Sequence, residues 1–315
     1  MLLIDRYPTS EDWIDRMHNA ATSRNIGIIG AGRVGAVLGA LLERAGHTVV
    51  AAVAVSAASK ARAAALIPNA RLLPADEVTA AADLVILAVP DDALAALVAG
   101  LAETGALRPG QIVAHTSGAH GLAVLAPVAA AGAFPLALHP AMTFTGTAAD
   151  LERLAAGISF GVTAPDELHT FAEGLVRDLH GIVEWIDEER RPLYHAALAH
   201  GANHLATLVA EAMDRLRDAG VHQPERVLAP LLGAALDNTL RLGDAAITGP
   251  VSRGDAGTVR KHLRALDAVD PGSVPPYLAL ARRTADRVIA AGRLRPQDAS
   301  PLLDVLATAQ KERIV

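Results

Sequence analysis

Four stretches of the chain carry polar residues that their apolar surroundings do not explain: "AHTSGAHG" (114–121), "LHPAMTF" (138–144), "YHAALAHGANHL" (194–205) and "TGPVSRGDAGTVRKHL" (248–263). They hold hydroxyls, imidazoles, an amide and a guanidinium. Such groups polarise a carbonyl, move a proton and hold an acid. Ser117, beside His115, Thr116 and His120, offers a hydroxyl to a carbonyl oxygen. His139, set before Pro140 and near Thr143, can orient a substrate or relay a proton, or simply be a hydrogen-bonded turn residue. Asn203 stands in an Ala/Leu-rich helical stretch, where an amide costs propensity and, if buried, needs a partner. At roughly 100° per residue, His195, His200 and Asn203 fall within about 140°, so at least two can face one cleft. A metal is not expected, because no compact His pair comes with a carboxylate and the chain has no Cys. In the last stretch Arg253 can pair bidentately with a carboxylate, and Asp255 reads as the cap of a helix that starts at Ala256.

A fifth stretch, "NIGIIGAGRVGAVLGALLERAGH" (25–47), explains what such groups could act with. It reads as a strand, a G-x-G-x-x-G turn and a helix. Gly30 permits the tight turn, Gly32 lets backbone approach a pyrophosphate, and Gly35 lets the helix pack on the strand. Ala31, Arg33 and Val34 complete the loop. A following strand confirms the context of a dinucleotide site. That strand ends at Val55, where an NAD enzyme usually places an acid on the ribose hydroxyls. Here "SAASKAR" supplies Ser56, Ser59, Lys60 and Arg62 and no acid, and Arg33 adds a cation. A 2′-phosphate is the better partner, so NADP(H) is expected. The alternative is a solvated helix start. Farther on, "LVILAVPDDAL" (84–94) presents Val89 and Pro90 beside the cofactor, with Asp91 and Asp92 read as helix caps.

The elements that must position these residues follow from the apolar pattern. Runs at "NIGIIG", "HTVVAAVAV", "DLVILAVP", "QIVAHT", "FPLALHP" and "GISFGV" alternate with Ala/Leu-rich segments of helical length. Continuous apolar strands imply burial on both faces, hence an α/β Rossmann-type, doubly wound parallel sheet covered by helices. Ligands bind such sheets at the carboxyl ends of their strands, where "AHTSGAHG" and "LHPAMTF" fall. After Asp187 only helices are expected: 188–219, 224–242, 256–266, 274–291 and 296–309. The expected organisation is an extension of unknown role at 1–24, a Rossmann NADP-binding domain at 25–187 and a helical domain at 188–315.

Composition narrows the partners. A net charge of −6 with a pI near 6.0 argues against nucleic acid, which needs a basic face. The absence of Cys removes disulfides and thiolate chemistry. Residues 121–138 carry no charge, but Pro127, Gly132 and Pro135 break them, so no membrane span is expected. The first residues have an apolar run too short for a signal peptide, and a cytoplasmic location is expected.

In their order, the glycine loop, "AVPDDAL", "HTSGAHG", "LHPAMTF", "YHAALAHGANHL" and "TGPVSRGDAGTVRKHL" resemble one bacterial family. It pairs a Rossmann-like N-terminal domain with a helical C-terminal domain catalogued as of unknown function. It is similar in architecture to pyrroline-5-carboxylate reductase, 6-phosphogluconate dehydrogenase and ketopantoate reductase, and some relatives are thought to serve as alternative ketopantoate reductases. The resemblance implies cofactor contacts at Gly30, Gly32 and Gly35 and site roles for Ser117, His139, His195, Asn203, Arg253 and Asp255. It further implies a first helix and a later loop of the helical domain closing over the nicotinamide, with Arg253 as clamp for a substrate carboxylate and Thr258 beside it. The rival for this loop is a purely structural cap and salt bridge. Helical domains of this architecture pair, so a homodimer is expected.

One departure matters. The dehydrogenase and ketopantoate reductase relatives carry a Lys one turn before the helix Asn, whereas this chain has no Lys between Lys60 and Lys261. The proton donor then falls to His139 or His195, or to a water held by Ser117 and Asn203. A His serving as acid must be cationic near operating pH. The expected activity is NADPH-dependent reduction of a small carboxylate-bearing carbonyl compound, ketopantoate first. Two rivals stand beside it: reduction of a cyclic imine, which arrives protonated and needs no strong acid, and a non-catalytic NADP(H) sensor.

Overall fold

The computed structural model describes residues 23–311, so the expected extension at 1–24 lies almost wholly outside the described residues. The chain divides into two compact units, 1–201 and 202–315. The first is an eight-stranded sheet with helices. Its elements are β1 (Asn25–Ile29), α1 (Arg33–Arg44), β2 (Thr48–Val53), α2 (Ala57–Leu66), β3 (Arg71–Leu72), α3 (Ala75–Ala81), β4 (Leu84–Leu87), α4 (Asp91–Glu103), β5 (Ile112–His115), α5 (Ala126–Ala130), β6 (Phe134–Pro140), α6 (Ala148–Ala155), β7 (Ser159–Thr163), α7 (His169–Asp178), β8 (Ile182–Trp185) and α8 (Arg191–Leu198).

The sheet order is β3-β2-β1-β4-β5-β6-β7-β8. Strand order reverses between β1 and β4, which places the crevice of a doubly wound sheet beside the glycine turn. The apolar strands bury both faces, as side-chain alternation requires. Ile26, Ile28, Ile86 and Leu138 pack into one core with Leu38, Leu41 and Phe160, while Ile29, Val85, Leu87 and Val113 pack into the other with Leu94 and Val98. Each such side chain stabilises the sheet by roughly 1.5–3 kcal/mol.

The sheet is parallel from β3 to β6, but β7 pairs antiparallel with β6, and β8 runs parallel to β7. The doubly wound parallel sheet expected from the sequence is thus mostly parallel, with one antiparallel pairing. Its cause is the connection: the one helix between β6 and β7, α6, has 8 residues, and β7 returns along its neighbour instead of crossing over. The sequence pattern also overlooked β3 and β8. The first has 2 residues, and the second, "IVEW", is a half-exposed edge strand without a buried run.

Composition changes at 187–190, whereas the compact units divide after Gly201. Arg191 explains the offset, since it is fully buried and hydrogen-bonds to β6 and β7, holding α8 on the sheet.

The second unit comprises α9 (His204–Asp218), α10 (Pro224–Leu242), α11 (Ala256–Val269), α12 (Val274–Ala290) and α13 (Pro296–Lys311). Its core joins Val259 and Leu263 of α11, Leu278, Ala281 and Ala285 of α12, and Leu302 and Leu306 of α13. By contrast α9 buries no residue, and α10 buries only Pro224 and Leu228 of its 19. Among the described residues no helix is long and apolar enough to cross a membrane.

Candidate functional site

The glycine turn is shaped by contacts that exclude side chains. Gly30 has φ +99°, and a Cβ there would collide with the Ala88 carbonyl oxygen at the end of β4. A Cβ on Gly35 would strike the Gly30 carbonyl oxygen, so α1 can approach β1 only without one. Gly32 differs: a Cβ there would find only the Gly30 oxygen, at 3.9 Å. The space over Gly32 is open, and α1 begins with no side-chain cap, no acid in its first turn, and Arg33, Val34 and Gly35 as its first residues. An uncapped helix N-terminus behind an open glycine fits a dinucleotide's pyrophosphate. Ala31 is buried beneath the turn, Val89 flanks it just after β4, and Pro90 is the N-cap of α4.

Beyond β2, the Ser56 hydroxyl caps α2 by accepting the Ser59 amide at 3.1 Å, and the Ser59 hydroxyl donates to the Ser56 carbonyl at 2.9 Å. Both serines are thus used by the helix start. The cations are not: Arg33, Lys60 and Arg62 have no hydrogen-bond or ion-pair partner among the described residues. Arg62 and Arg33 converge on Gly146 in the loop after β6, where a Cβ would lie 2.5 Å from Arg62 Nε and 3.0 Å from Arg33 Cγ. Buried Asp150 fixes that loop, accepting the amides of Thr145 at 2.8 Å and Gly146 at 2.6 Å. Asp91 and Asp92 are not caps. The N-cap of α4 is Pro90, which leaves the two acids in the first turn facing the helix dipole.

At the carboxyl ends of β5 and β6 a second group forms. His115 is fully buried. Its Nε2 donates to the Gly121 carbonyl at 2.8 Å, and its Nδ1 accepts the Ser117 amide at 3.2 Å. That pairing defines a neutral tautomer that shapes the loop. The Ser117 hydroxyl oxygen accepts the amides of Ala119 at 3.2 Å and His120 at 3.1 Å, so it too holds the turn, with its own O–H left to donate. Glu188 closes the loop by accepting the amides of Leu122 at 2.5 Å and Ala123 at 3.1 Å. His139 Nδ1 lies 2.9 Å from the Tyr194 hydroxyl, and its ring sits edge-on to His195 at 6.1 Å. Gly118 makes room for both imidazoles: a Cβ there would lie 2.7 Å from His195 Cδ2 and 3.0 Å from His139 Nε2.

Beneath them lies Arg191, with no exposed surface. Its Nε donates to Thr163 Oγ1 at 2.8 Å, Nη1 to the Ser117 carbonyl at 3.2 Å, and Nη2 to the carbonyls of Ala137 at 3.3 Å and Gly161 at 2.9 Å. None of these partners is a carboxylate, so the positive charge is solvated by dipoles, with Glu188 acting on it only at longer range. Burial lowers the guanidinium to about 10, against the pull of Tyr194 and Glu188. Burial first, then the Arg191 charge and His195, pushes His139 down to about 4. His115 also falls to about 4, mainly through burial. Tyr194 moves up by burial, opposed by Arg191. A cationic His139 at neutral pH is therefore corrected to a neutral imidazole, because a buried site beside a fixed cation disfavours a second positive charge. Sequence reasoning missed Arg191 and Tyr194; the string "RPLYH" held both, but nothing in it told a buried Arg from a solvated one.

The remaining expected residues lie on helix turns. The chain passes from α8 to α9 through a π turn at Ala199–Asn203, so the uniform 100° spacing assumed for His195, His200 and Asn203 does not hold. Asn203 is exposed. In the second unit Gly254 takes φ +73°, Asp255 caps α11 through the Thr258 amide and hydroxyl, and Arg253 is exposed with no hydrogen-bond or ion-pair partner among the described residues.

Among curated proteins none matches the chain by sequence. A solved Bacteroides fragilis protein assigned as an NADP oxidoreductase is 25% identical, matches 84% of this chain and 98% of its own, and superposes with a TM-score of 0.70. An imine reductase from Pseudomonas sp. is 20% identical over 86% of this chain and 99% of its own, with a TM-score of 0.62. The pyrroline carboxylate reductase of Plasmodium falciparum, solved with NADP bound, is 11% identical over 89% and 98%, with a TM-score of 0.56. The last two likenesses are of fold. Residues 13–140 match the family described as a Rossmann-like domain, and residues 158–284 match the domain of unknown function DUF2520. The chain thus carries a Rossmann-like domain followed by a DUF2520 domain.

Proposed function

We propose that this protein is an NADP(H)-dependent reductase of a small, carboxylate-bearing carbonyl compound, with ketopantoate the first substrate to test. The observation that carries the reading is the pairing of an open, uncapped glycine turn with the strand-end group around His139, Tyr194 and buried Arg191. The bound nicotinamide supplies hydride to the carbonyl carbon. Negative charge then grows on the substrate oxygen, and a buried cation with no carboxylate hydrogen-bonded to it favours that charge. The cofactor assignment draws support from Arg33, Lys60 and Arg62, which have no partner among the described residues, and from the NADP named for the Bacteroides and Plasmodium proteins. Arg253, exposed on a loop fixed by Gly254 and Asp255, is the candidate clamp for the carboxylate.

A homodimer is part of this reading. Leu231, Leu236, Leu240 and Leu242 of α10 are 53–78% exposed, two on each of two opposite faces of the helix, and a second copy would cover such large apolar side chains. A cytoplasmic setting suits a Cys-free chain. The second reading, imine reduction, is favoured by the missing helix Lys and by the fold shared with an imine reductase. The charge of Arg191 weighs against it, since an iminium is itself a cation.

The test is NADPH oxidation against a panel of keto acids and cyclic imines. Turnover of a keto acid is expected. Turnover of imines alone would replace this reading with the second, and tight NADPH binding without any turnover would make the protein a sensor.

A further inference from the structure

With the helix Lys absent, the proton for the substrate oxygen needs a source. We propose that His139 and Tyr194 form a proton relay in which the neutral imidazole donates from Nε2, the Tyr194 hydroxyl refills Nδ1, and Arg191 stabilises the phenolate that remains. This rests on the reductase reading for its substrate. The geometry supplies each part. Nδ1 lies 2.9 Å from the Tyr194 oxygen, so a hydroxyl that donates there leaves the ring proton on Nε2. Nε2 has no protein hydrogen-bond partner among the described residues, and the ring can lie against Gly118 only because that residue has no side chain. His139 pairs with Gly161 across β6 and β7, and the Gly161 carbonyl accepts from Arg191. Tyr194 follows Arg191 by three residues on α8, so both reach the same point of the sheet.

The balance closes. Hydride from the reduced nicotinamide forms a C–H bond, and the carbonyl π pair becomes an alkoxide. The Nε2–H bond breaks as O–H forms on substrate. The Tyr194 O–H breaks as Nδ1–H forms. Solvent then protonates Nε2, and the Nδ1 proton returns to the phenolate. A fixed cation opposes an imidazolium and favours a phenolate, so Arg191 steers both ends of the relay the same way. The other charged groups facing the pair are His195 on α8, His115 on β5 and Asp91 on α4 toward His139, Glu184 on β8 toward Tyr194, and Glu188 toward Arg191.

Imidazole nitrogen NMR on the full-length protein, with the His139 signals assigned by His139→Gln, reads the relay without turnover. The expected result is a neutral ring protonated at Nε2 down to about pH 6, with the Nδ1 shift changed in Tyr194→Phe. That variant should bind NADPH as the native protein does while kcat falls by about a hundredfold. In Arg191→Lys the retained charge should keep the ring neutral and preserve more turnover than Arg191→Gln does. A ring protonated at Nδ1, or cationic near neutral pH, overturns the relay, as does turnover of Tyr194→Phe within about threefold of native. Failure of the native protein to oxidise NADPH with any keto acid would instead overturn the reductase reading, and the relay's catalytic role with it.

Discussion

Asp255 grips Thr258 twice, its Oδ1 accepting the backbone amide at 3.1 Å and its Oδ2 the hydroxyl at 2.7 Å, while Arg253, two residues earlier, adds its charge but has no hydrogen-bond or ion-pair partner among the described residues. The acid is used by the helix, and its carboxyl is held below the usual range first by the Thr258 hydroxyl and amide. The cation remains available. Asp255→Ala should therefore lower Tm by roughly 2–4 °C and leave kcat near native. Arg253→Ala should leave Tm near native and lower kcat/KM for a carboxylate substrate at least about thirtyfold, with Arg253→Lys only a partial rescue. Kinetics beside thermal melts decide it; normal turnover with a lowered Tm for Arg253→Ala would make the loop structural.

The cations near α2 set a cofactor preference. NADPH should bind at least about tenfold more tightly than NADH, a difference of about 1.4 kcal/mol. Arg62→Ala should erode that ratio, because Arg62 has no partner among the described residues and meets Arg33 at Gly146. Fluorescence titration with both cofactors measures it, and equal native affinities would end the NADP assignment.

The glycines of the turn should separate binding from folding. Gly32→Ala meets no close atom in the protein, so Tm should hold while NADPH affinity falls by more than about tenfold. Gly35→Ala collides with the Gly30 carbonyl oxygen and should lower Tm as well. Calorimetric melts paired with NADPH titration distinguish the two.

Stability should fall on mild acidification. His115 and His139 sit near 4 in the folded protein against an ordinary 6.5, so the unfolded chain takes up their protons first. Their contribution is complete above about pH 6.5 and declines as pH drops toward 4, on the order of 2–3 kcal/mol for each. Urea melts across that range should show the slope, and His115→Gln should flatten it. An unchanged midpoint from pH 7 to pH 5 would contradict buried neutral imidazoles.

Sedimentation tests the second copy. A dimer is expected at micromolar concentration, with Leu240→Glu, at a position 78% exposed, shifting the population to monomer and leaving Tm of the monomer intact. A single 32.5 kDa native species would contradict it.

The sequence by itself determined the features that local sterics and periodicity control. Gly30, Gly32 and Gly35 announced the turn because each removes a Cβ from a place that backbone or a ligand must occupy. Continuous apolar strands announced a sheet buried on two faces, and Asp255 before Ala256 announced a cap. Tertiary structure decided what depends on distant partners. Whether β7 runs with or against β6 is a matter of connection, not of residue type. The neutrality of His139 follows from burial and from a cation 52 residues along the chain, and Arg191 is buried because Ser117, Ala137, Gly161 and Thr163 meet around it. A charged side chain in "EERRPLY" looks solvated in one dimension; only the packing of α8 on three strand ends supplies the dipoles that let it lose water.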